Sequence, residues 1–383
     1  STDNRIYLFN TTSGDLLFTL TAEGSITSIA LSANGADGVA GSGDNTVYYF
    51  NRSDSVWNST LWGTVRTVDI SGDGKHIVAG CNDNYLYVFN YSSPIYEWDY
   101  NFGVDVMSVA ISNNSQIISA GSTNMIRSFY RDTAEILWEH VQVSTYELAI
   151  SSEGKYTALA EGVSFFKSIC LFSWSTFEPL WRRYNADSVY YGKISPEGSY
   201  IFAGLLGGST DARLYDKLGA TLWTYDEATE ITKSVAISQN GRTIVLGYYS
   251  TGKLLLFNKT SSTPEWTATD ASGSFYSVAV SRDGQYIAAG NDDNYVYLYN
   301  RSSNTYLWRY ATGDTVEMVA VSADGTYVVA GSNDNRLYLF DTKDAGTPLV
   351  WYNQTSADVK SVAVSENGSY LAAASGTNLH VFN

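Results

Sequence analysis

One phrase, written nine times, constrains this chain more than any other feature of it. In its clearest copy it reads Ser277-Val-Ala-Val-Ser281, a turn, Tyr286-Ile-Ala-Ala-Gly290, Asp293-Asn294, Tyr295-Val-Tyr-Leu-Tyr-Asn300 and Leu307-Trp308. The last Ser of the first segment marks each copy: Ser32, Ser71, Ser112, Ser151, Ser195, Ser238, Ser281, Ser322 and Ser365, at spacings of 39 to 44 residues within a chain of 383. A repeat of this length is one small folding unit. It cannot bury its apolar face alone and has to stack on its neighbours.

Each copy resolves into four short strands. Segment a alternates large Val or Ile with small Ala or Ser, the period-two signal of a strand. An Asn-Gly, Asp-Gly or Glu-Gly pair follows in eight copies, suited to the positive φ of a tight hairpin. Copy three has Asn113-Asn114-Ser115 instead and is one residue shorter. Segment b is of the Tyr-Ile-Ala-Ala-Gly type. A second turn carries Asp-Asn at 44–45, 83–84, 293–294 and 334–335, and segment c is of the Val-Tyr-Leu-Phe-Asn type. Segment d carries Trp57, Trp98, Trp138, Trp181, Trp223, Trp266, Trp308 and Trp351, with Phe18 in the same slot ahead of Ser32. A large aromatic at one place per unit reads as a wedge between neighbouring sheets.

Four-stranded units of this length, repeated many times, predict an all-β fold: a single β-propeller of nine four-stranded blades spanning residues 1–383. Nine lies above the common range of four to eight, but no linker or composition break divides the copies. The chain both begins and ends with a c-type segment, Arg5–Asn10 and Leu379–Asn383, and its first d-type segment, Leu16 to Leu20, has no a or b before it. Residues 1–20 are therefore expected to complete the last blade, the N-terminal strand pairing with the C-terminal blade and removing open sheet edges. One c segment is then surplus. The expectation is that Ile6–Asn10 or Leu379–Asn383 lies outside the blade or pairs with a neighbouring subunit. The pattern is least regular over 161–216.

The a, turn and b segments resemble WD40 repeats. The c and d segments, such as Asp83-Asn-Tyr-Leu-Tyr-Val-Phe-Asn90 and Tyr306-Leu-Trp308, resemble the repeats of PQQ-type quinoprotein propellers. The resemblance runs over essentially the whole chain. It departs from WD40 proper in that segment c ends Phe-Asn or Phe-Asp rather than Trp-Asp, and the usual Gly-His is absent.

Composition narrows the function. The net charge is −16, from 23 Lys+Arg against 39 Asp+Glu, and no basic stripe is present, so a nucleic-acid partner is disfavoured. No stretch reaches the roughly 18 apolar residues of a membrane span. Two cysteines, Cys81 and Cys170, exclude a disulfide framework and a cysteine zinc site. The PQQ-type resemblance would bring a vicinal cysteine pair and a metal-bound quinone, and these cysteines are not vicinal; a quinone- or metal-dependent enzyme is the least favoured reading. His76, His140 and His380 share no ligand spacing. No catalytic, cofactor-binding or metal-ligating residues are assigned, and no cofactor is expected. Bound calcium at acidic turns such as Asn291-Asp-Asp-Asn294 and Asn333-Asp-Asn335 is the exception considered, although Asp-Asn is also what a tight turn selects.

Nine Asn-x-Ser/Thr sequons occur, at Asn10, Asn51, Asn58, Asn90, Asn113, Asn258, Asn300, Asn353 and Asn367, and five of them (10, 51, 90, 258 and 300) follow segment c. Exposed turns there would accept a glycan, though Asn and Ser also suit the corner itself. With a first residue other than Met, read as processing or trimming, the expectation is an extracellular or cell-surface glycoprotein of a prokaryote. Partner binding is sought where the copies disagree. Five residues before each marker lie Thr27, Arg66, Met107, Tyr146, Tyr190, Lys233, Tyr276, Glu317 and Lys360, beside positions that are nearly constant. In WD40-like rings the start of strand a lies on the face that commonly contacts partners. Two further exceptions, Asp69 and Lys193, stand where the other seven copies have Ala; a charge there is expected to face the channel or a paired group. The function expected is a non-catalytic scaffold for a protein, glycan or other ligand. The alternative is a structural subunit of a surface layer or filament.

Overall fold

The structure, a computed structural model, describes residues 4–11, 15–141, 145–163, 166–176, 178–185, 188–206, 211–227, 230–249 and 251–375. Among these residues there are 36 strands and no helix, arranged as nine four-stranded antiparallel sheets, one per blade of a propeller. Eight blades run a-b-c-d in chain order. In blade seven these strands are Phe275–Val280, Tyr286–Asn291, Tyr295–Asn300 and Tyr306–Ala311.

Burial follows position in the blade. Strands b and c are covered on both faces by neighbouring blades, so Tyr-Ile-Ala-Ala-Gly and Val-Tyr-Leu-Tyr read as unbroken apolar runs and are buried nearly throughout. Strand d is the outer edge. In blade one, Ser55–Thr60 alternates exposed and half-buried residues, the mark of a sheet covered on one face only.

The aromatic of strand d is the wedge that its periodicity predicts. Each one packs on the strand c aromatic of the next blade: Trp57 on Phe89 at 5.5 Å between ring centroids, Trp98 on Phe129 at 5.6 Å, Trp138 on Phe172 at 4.0 Å, Trp223 on Phe257 at 5.1 Å and Trp308 on Phe340 at 5.0 Å. The indole N–H also reaches across. Trp57 donates to the Tyr91 carbonyl at 2.8 Å, Trp98 to Arg131 at 2.7 Å and Trp266 to Arg301 at 2.8 Å. The stacking recurs from blade to blade; the hydrogen bond recurs at Trp181, Trp223 and Trp351, whereas Trp308 Nε1 is buried with no partner among the described residues and Phe18 carries no N–H.

The ring closes through blade nine, whose strand order is Val359–Val364, Tyr370–Ser375, Arg5–Asn10, Leu16–Thr21. Ile6 pairs with Ala374 and Asn10 with Tyr370. Completion of the last blade by the first d segment is as expected. The option that Ile6–Asn10 is the surplus segment is corrected: it is strand c of blade nine, with Ile6, Leu8 and Phe9 buried. Two nearly identical c segments competed for one slot, and nothing in their composition ranked them. Leu379–Asn383 lies outside the described residues.

A second set of contacts holds the inner ring. The residue after each marker Ser donates its N–H to the carbonyl of its counterpart in the next blade: Gln239 to Arg282, Arg282 to Ala323, Ala323 to Glu366, Glu366 to Ala33, Ala33 to Gly72, Gly72 to Asn113, Asn113 to Ser152 and Ser152 to Pro196, all at 2.9–3.2 Å. Pro196 has no N–H to give to Gln239. In copy three, Ser115 occupies the left-handed position held by glycine elsewhere, at φ +64°. The residue this copy lacks is missing from its second turn, where the Ser122 hydroxyl accepts from the Met125 N–H at 3.1 Å.

Candidate binding face at the strand a bulges

All nine strand a/strand b pairs break register at the same place. In blade one Ile26 pairs with Ser42 and Ser28 with Gly41, leaving Thr27 out of the ladder. The same step skips Arg66, Met107, Tyr146, Tyr190, Lys233, Tyr276, Glu317 and Lys360. Each of the nine variable positions is therefore the extra residue of a β-bulge. A bulge releases one side chain from the alternation of the strand and re-aims it. The residue before it is held in the core: Ile26, Val65, Val106, Val189, Thr232, Phe275, Val316 and Val359 are all buried. Packing fixes one position and leaves its neighbour to vary.

The bulges lie on the face built by the d–a loops and b–c turns, ringing the axis. Across four consecutive blades these side chains form two contacting pairs. The Lys233 ammonium sits 4.7 Å from the centre of the Tyr276 ring. Burial pushes the Tyr276 hydroxyl above its ordinary pKa, and the nearby Tyr249, Asp292 and Glu317 push the same way. Glu317 accepts from Lys360 at 2.8 Å and from the Asn333 amide at 2.8 Å, and Lys360 also reaches the Asn333 carbonyl oxygen at 2.7 Å. Elsewhere Thr27 donates to the Val65 carbonyl of the next blade at 2.5 Å, and Arg66 pairs with Asp105 at 2.8 Å with both side chains partly open to solvent. Met107 is half-buried. The side chains of Tyr146 and Tyr190 lie outside the described ones, although their backbone register is set.

Sequence reasoning missed Trp62, Asp105 and Asn333. Trp62, in the loop leading to Arg66, is 88% exposed, the most open large apolar side chain among the described residues. A signal existed: of ten tryptophans, only Trp62 and Trp174 fall outside the strand d series.

The sequons sit elsewhere. Asn10, Asn51, Asn90, Asn258 and Asn300 end strand c, and Asn113 and Asn367 lie in the a–b hairpins, so these seven belong to the opposite face. Asn58 and Asn353 are on outer strands. At strand c ends the Asn carbonyl oxygen closes a turn: Asn90 accepts from the Ser92 N–H and hydroxyl, and Asn300 from those of Ser302.

The acidic turns are knit to the protein's own donors. Asp293 accepts from the Tyr295 N–H at 3.2 Å, the Tyr297 hydroxyl at 2.6 Å and the Ser272 N–H at 3.0 Å; Asp44 does the same with Thr46, Tyr48 and Gly24. Among the described residues no cluster of His, Cys, Asp and Glu has the arrangement to hold a metal. Cys81 and Cys170 are both buried and form no disulfide. His76 and His140 lie in different blades, and His380 lies outside the described residues.

Asp69 faces the axis, in the wall of a cavity of about 330 Å³ that also touches Ala33, Asn113, Ser152 and Glu366. Its carboxylate accepts the Ile70 N–H and, across the blade boundary, the Ile111 N–H, both at 2.9 Å. Burial pushes its pKa up to about 6 in spite of these two donors. Lys193 is half-buried on Ser188–Ile194 of blade five.

Comparison with known families agrees with this architecture. Residues 256–382 match the PQQ-type family described as outer membrane protein assembly factor BamB, and residues 14–51 and 58–90 match the WD domain, G-beta repeat. Over these parts the repeats are similar to both the PQQ and the WD40 type, the two resemblances that the motifs carry. No curated protein matches it.

Proposed function

We propose that this propeller is a non-catalytic scaffold that binds a protein partner through its bulge face. The observation that carries the reading is the coincidence of sequence variety with the bulge: nine blades share one mould, and strand a varies most at the residue that the bulge releases from the ladder. Two features support it. The face offers Arg, Tyr and Trp, the residue types that dominate protein-interface energetics. All nine sequons lie on the other face or the outer strands, so glycans carried by a secreted or surface-exposed form would leave the bulge face bare.

The test is capture of partners from the native envelope by the wild type and by an Arg66→Ala/Tyr276→Ala/Lys360→Ala variant, compared by quantitative mass spectrometry. Partners retained on the wild type and lost from the variant support the reading. A variant that keeps every partner removes this face from consideration.

A further inference from the structure

The face opposite the bulges carries a cavity of about 440 Å³ between blades three and four, within the roughly 300–1,000 Å³ of small-molecule sites. Its origin is a substitution in the repeat. The hairpin glycine of one blade packs against the first strand b residue of the blade before it. That residue is Tyr at five junctions, where Gly35, Gly198, Gly241, Gly325 and Gly368 meet Tyr370, Tyr156, Tyr200, Tyr286 and Tyr327; at this junction Gly154 meets Ile117. The residue after strand c then covers the tyrosine, as Arg52 covers Tyr370 at 4.2 Å and Lys259 covers Tyr200 at 4.7 Å. Here that residue is Trp174. A missing phenol ring leaves the space, and an indole walls it.

The lining has a definite chemistry. Trp174 is 42% exposed and Tyr130 36% exposed, so two aromatic rings border the opening without being needed to fill a core. Asn114 and Gln116 bring carboxamides. The charges cancel locally: Arg131 is paired with Asp132 and Glu97, and Lys155 with Glu153 at 2.5 Å. The buried Arg131 Nε has no hydrogen-bond partner among the described residues. Aromatic planes, amides and neutralised carboxylates together suit a neutral polyol: its C–H face packs on the rings and its hydroxyls bond the rim.

We propose that this cavity is a saccharide-binding site that takes a neutral pyranose. It does not depend on the bulge face, which is on the other side of the disc. Asn113, a sequon beside the cavity, is a second source of the same chemistry, so free sugar is titrated into the full chain carrying Asn113→Gln, which removes any sugar attached there.

The probes are methyl glucoside, methyl mannoside, methyl galactoside and N-acetylglucosamine, followed by saturation-transfer NMR, with tetramethylammonium chloride as the cationic comparison. At least one pyranoside is expected to bind. Trp174→Ala is expected to weaken it about three- to tenfold. Ile117→Tyr, which restores the side chain five other junctions carry, is expected to abolish binding without loss of thermal stability. The proposal is overturned if no pyranoside binds, if both variants bind as the parent does, or if tetramethylammonium binds in preference to every sugar.

Discussion

Trp351 and Phe9 stand at opposite ends of the chain and pack ring to ring, 5.2 Å between centroids. The same indole donates to the Thr11 carbonyl at 3.4 Å, across 340 positions of sequence. This is the wedge of the Trp57, Trp98, Trp181, Trp223 and Trp266 junctions, reproduced where blade eight meets the N-terminal strand of blade nine. Closure therefore uses the blade contact already repeated around the ring rather than a dedicated latch.

Removal of residues 1–11 takes strand c out of blade nine and strands Leu16–Thr21 beyond it. Ile6, Leu8 and Phe9 are buried, each contributing roughly 1.5–3 kcal/mol. The truncated chain is expected to melt at a much lower temperature or to associate through the bared edge of Tyr370–Ser375. Calorimetry and light scattering decide; an unchanged melting point in a monomeric sample contradicts the assigned role of this strand.

The wedge separates into two contributions. Trp138 is fully buried against Phe172, and Trp138→Ala is expected to cost about 3–5 kcal/mol. Trp266→Phe keeps a ring and loses the bond to the Arg301 carbonyl, an expected cost of about 0.5–1.5 kcal/mol. Denaturant melts of both variants measure the difference. Equal costs would mean that stacking is not the larger part.

Asp69 makes a pH-dependent contribution of known sign. Its folded pKa of about 6 lies above the unfolded value of 3.8, so the folded state holds the proton more tightly. The stability this gives is fully present below the unfolded value and is lost as pH rises through about 6. Asp69→Asn stays neutral throughout. Relative to that variant, the wild type is expected to lose stability between about pH 4 and pH 6 and to stay flat above. A parallel pair of stability–pH curves would be the contrary result.

Intact-mass spectrometry of natively purified protein tests the glycan reading. Where sugars are attached, the exposed Asn58 and Asn113 are expected to carry them before Asn51, Asn90, Asn258 and Asn300, which are half-buried and whose side chains close turns. The reverse order counts against the use of these turns as structural corners.

Repetition made the fold legible. Nine copies average away local ambiguity, and counting c and d segments located the closure. The choice between Ile6–Asn10 and Leu379–Asn383 was not legible because both spell the same strand. The bulges were invisible as geometry: nothing in Ser-Val-Ala-Val-Ser marks a register break, and variety at Arg66 or Tyr276 was the only trace. Trp174 and Ile117 could have been read as two departures from the mould, but their adjacency depends on one blade lying against the next.

Pro196 gives the inner ring an origin. A loop of identical links has no first member, whereas this file of eight N–H···O=C bonds begins at Gln239 and ends at Pro196. All eight point the same way around the axis, so their polarisation accumulates in one sense. The disc is consequently directional about its circumference, with its head in blade six and its tail in blade five. The closure between Tyr370–Ser375 and Arg5–Asn10 sits away from that junction, inside blade nine, so the two breaks fall in different sectors of the ring.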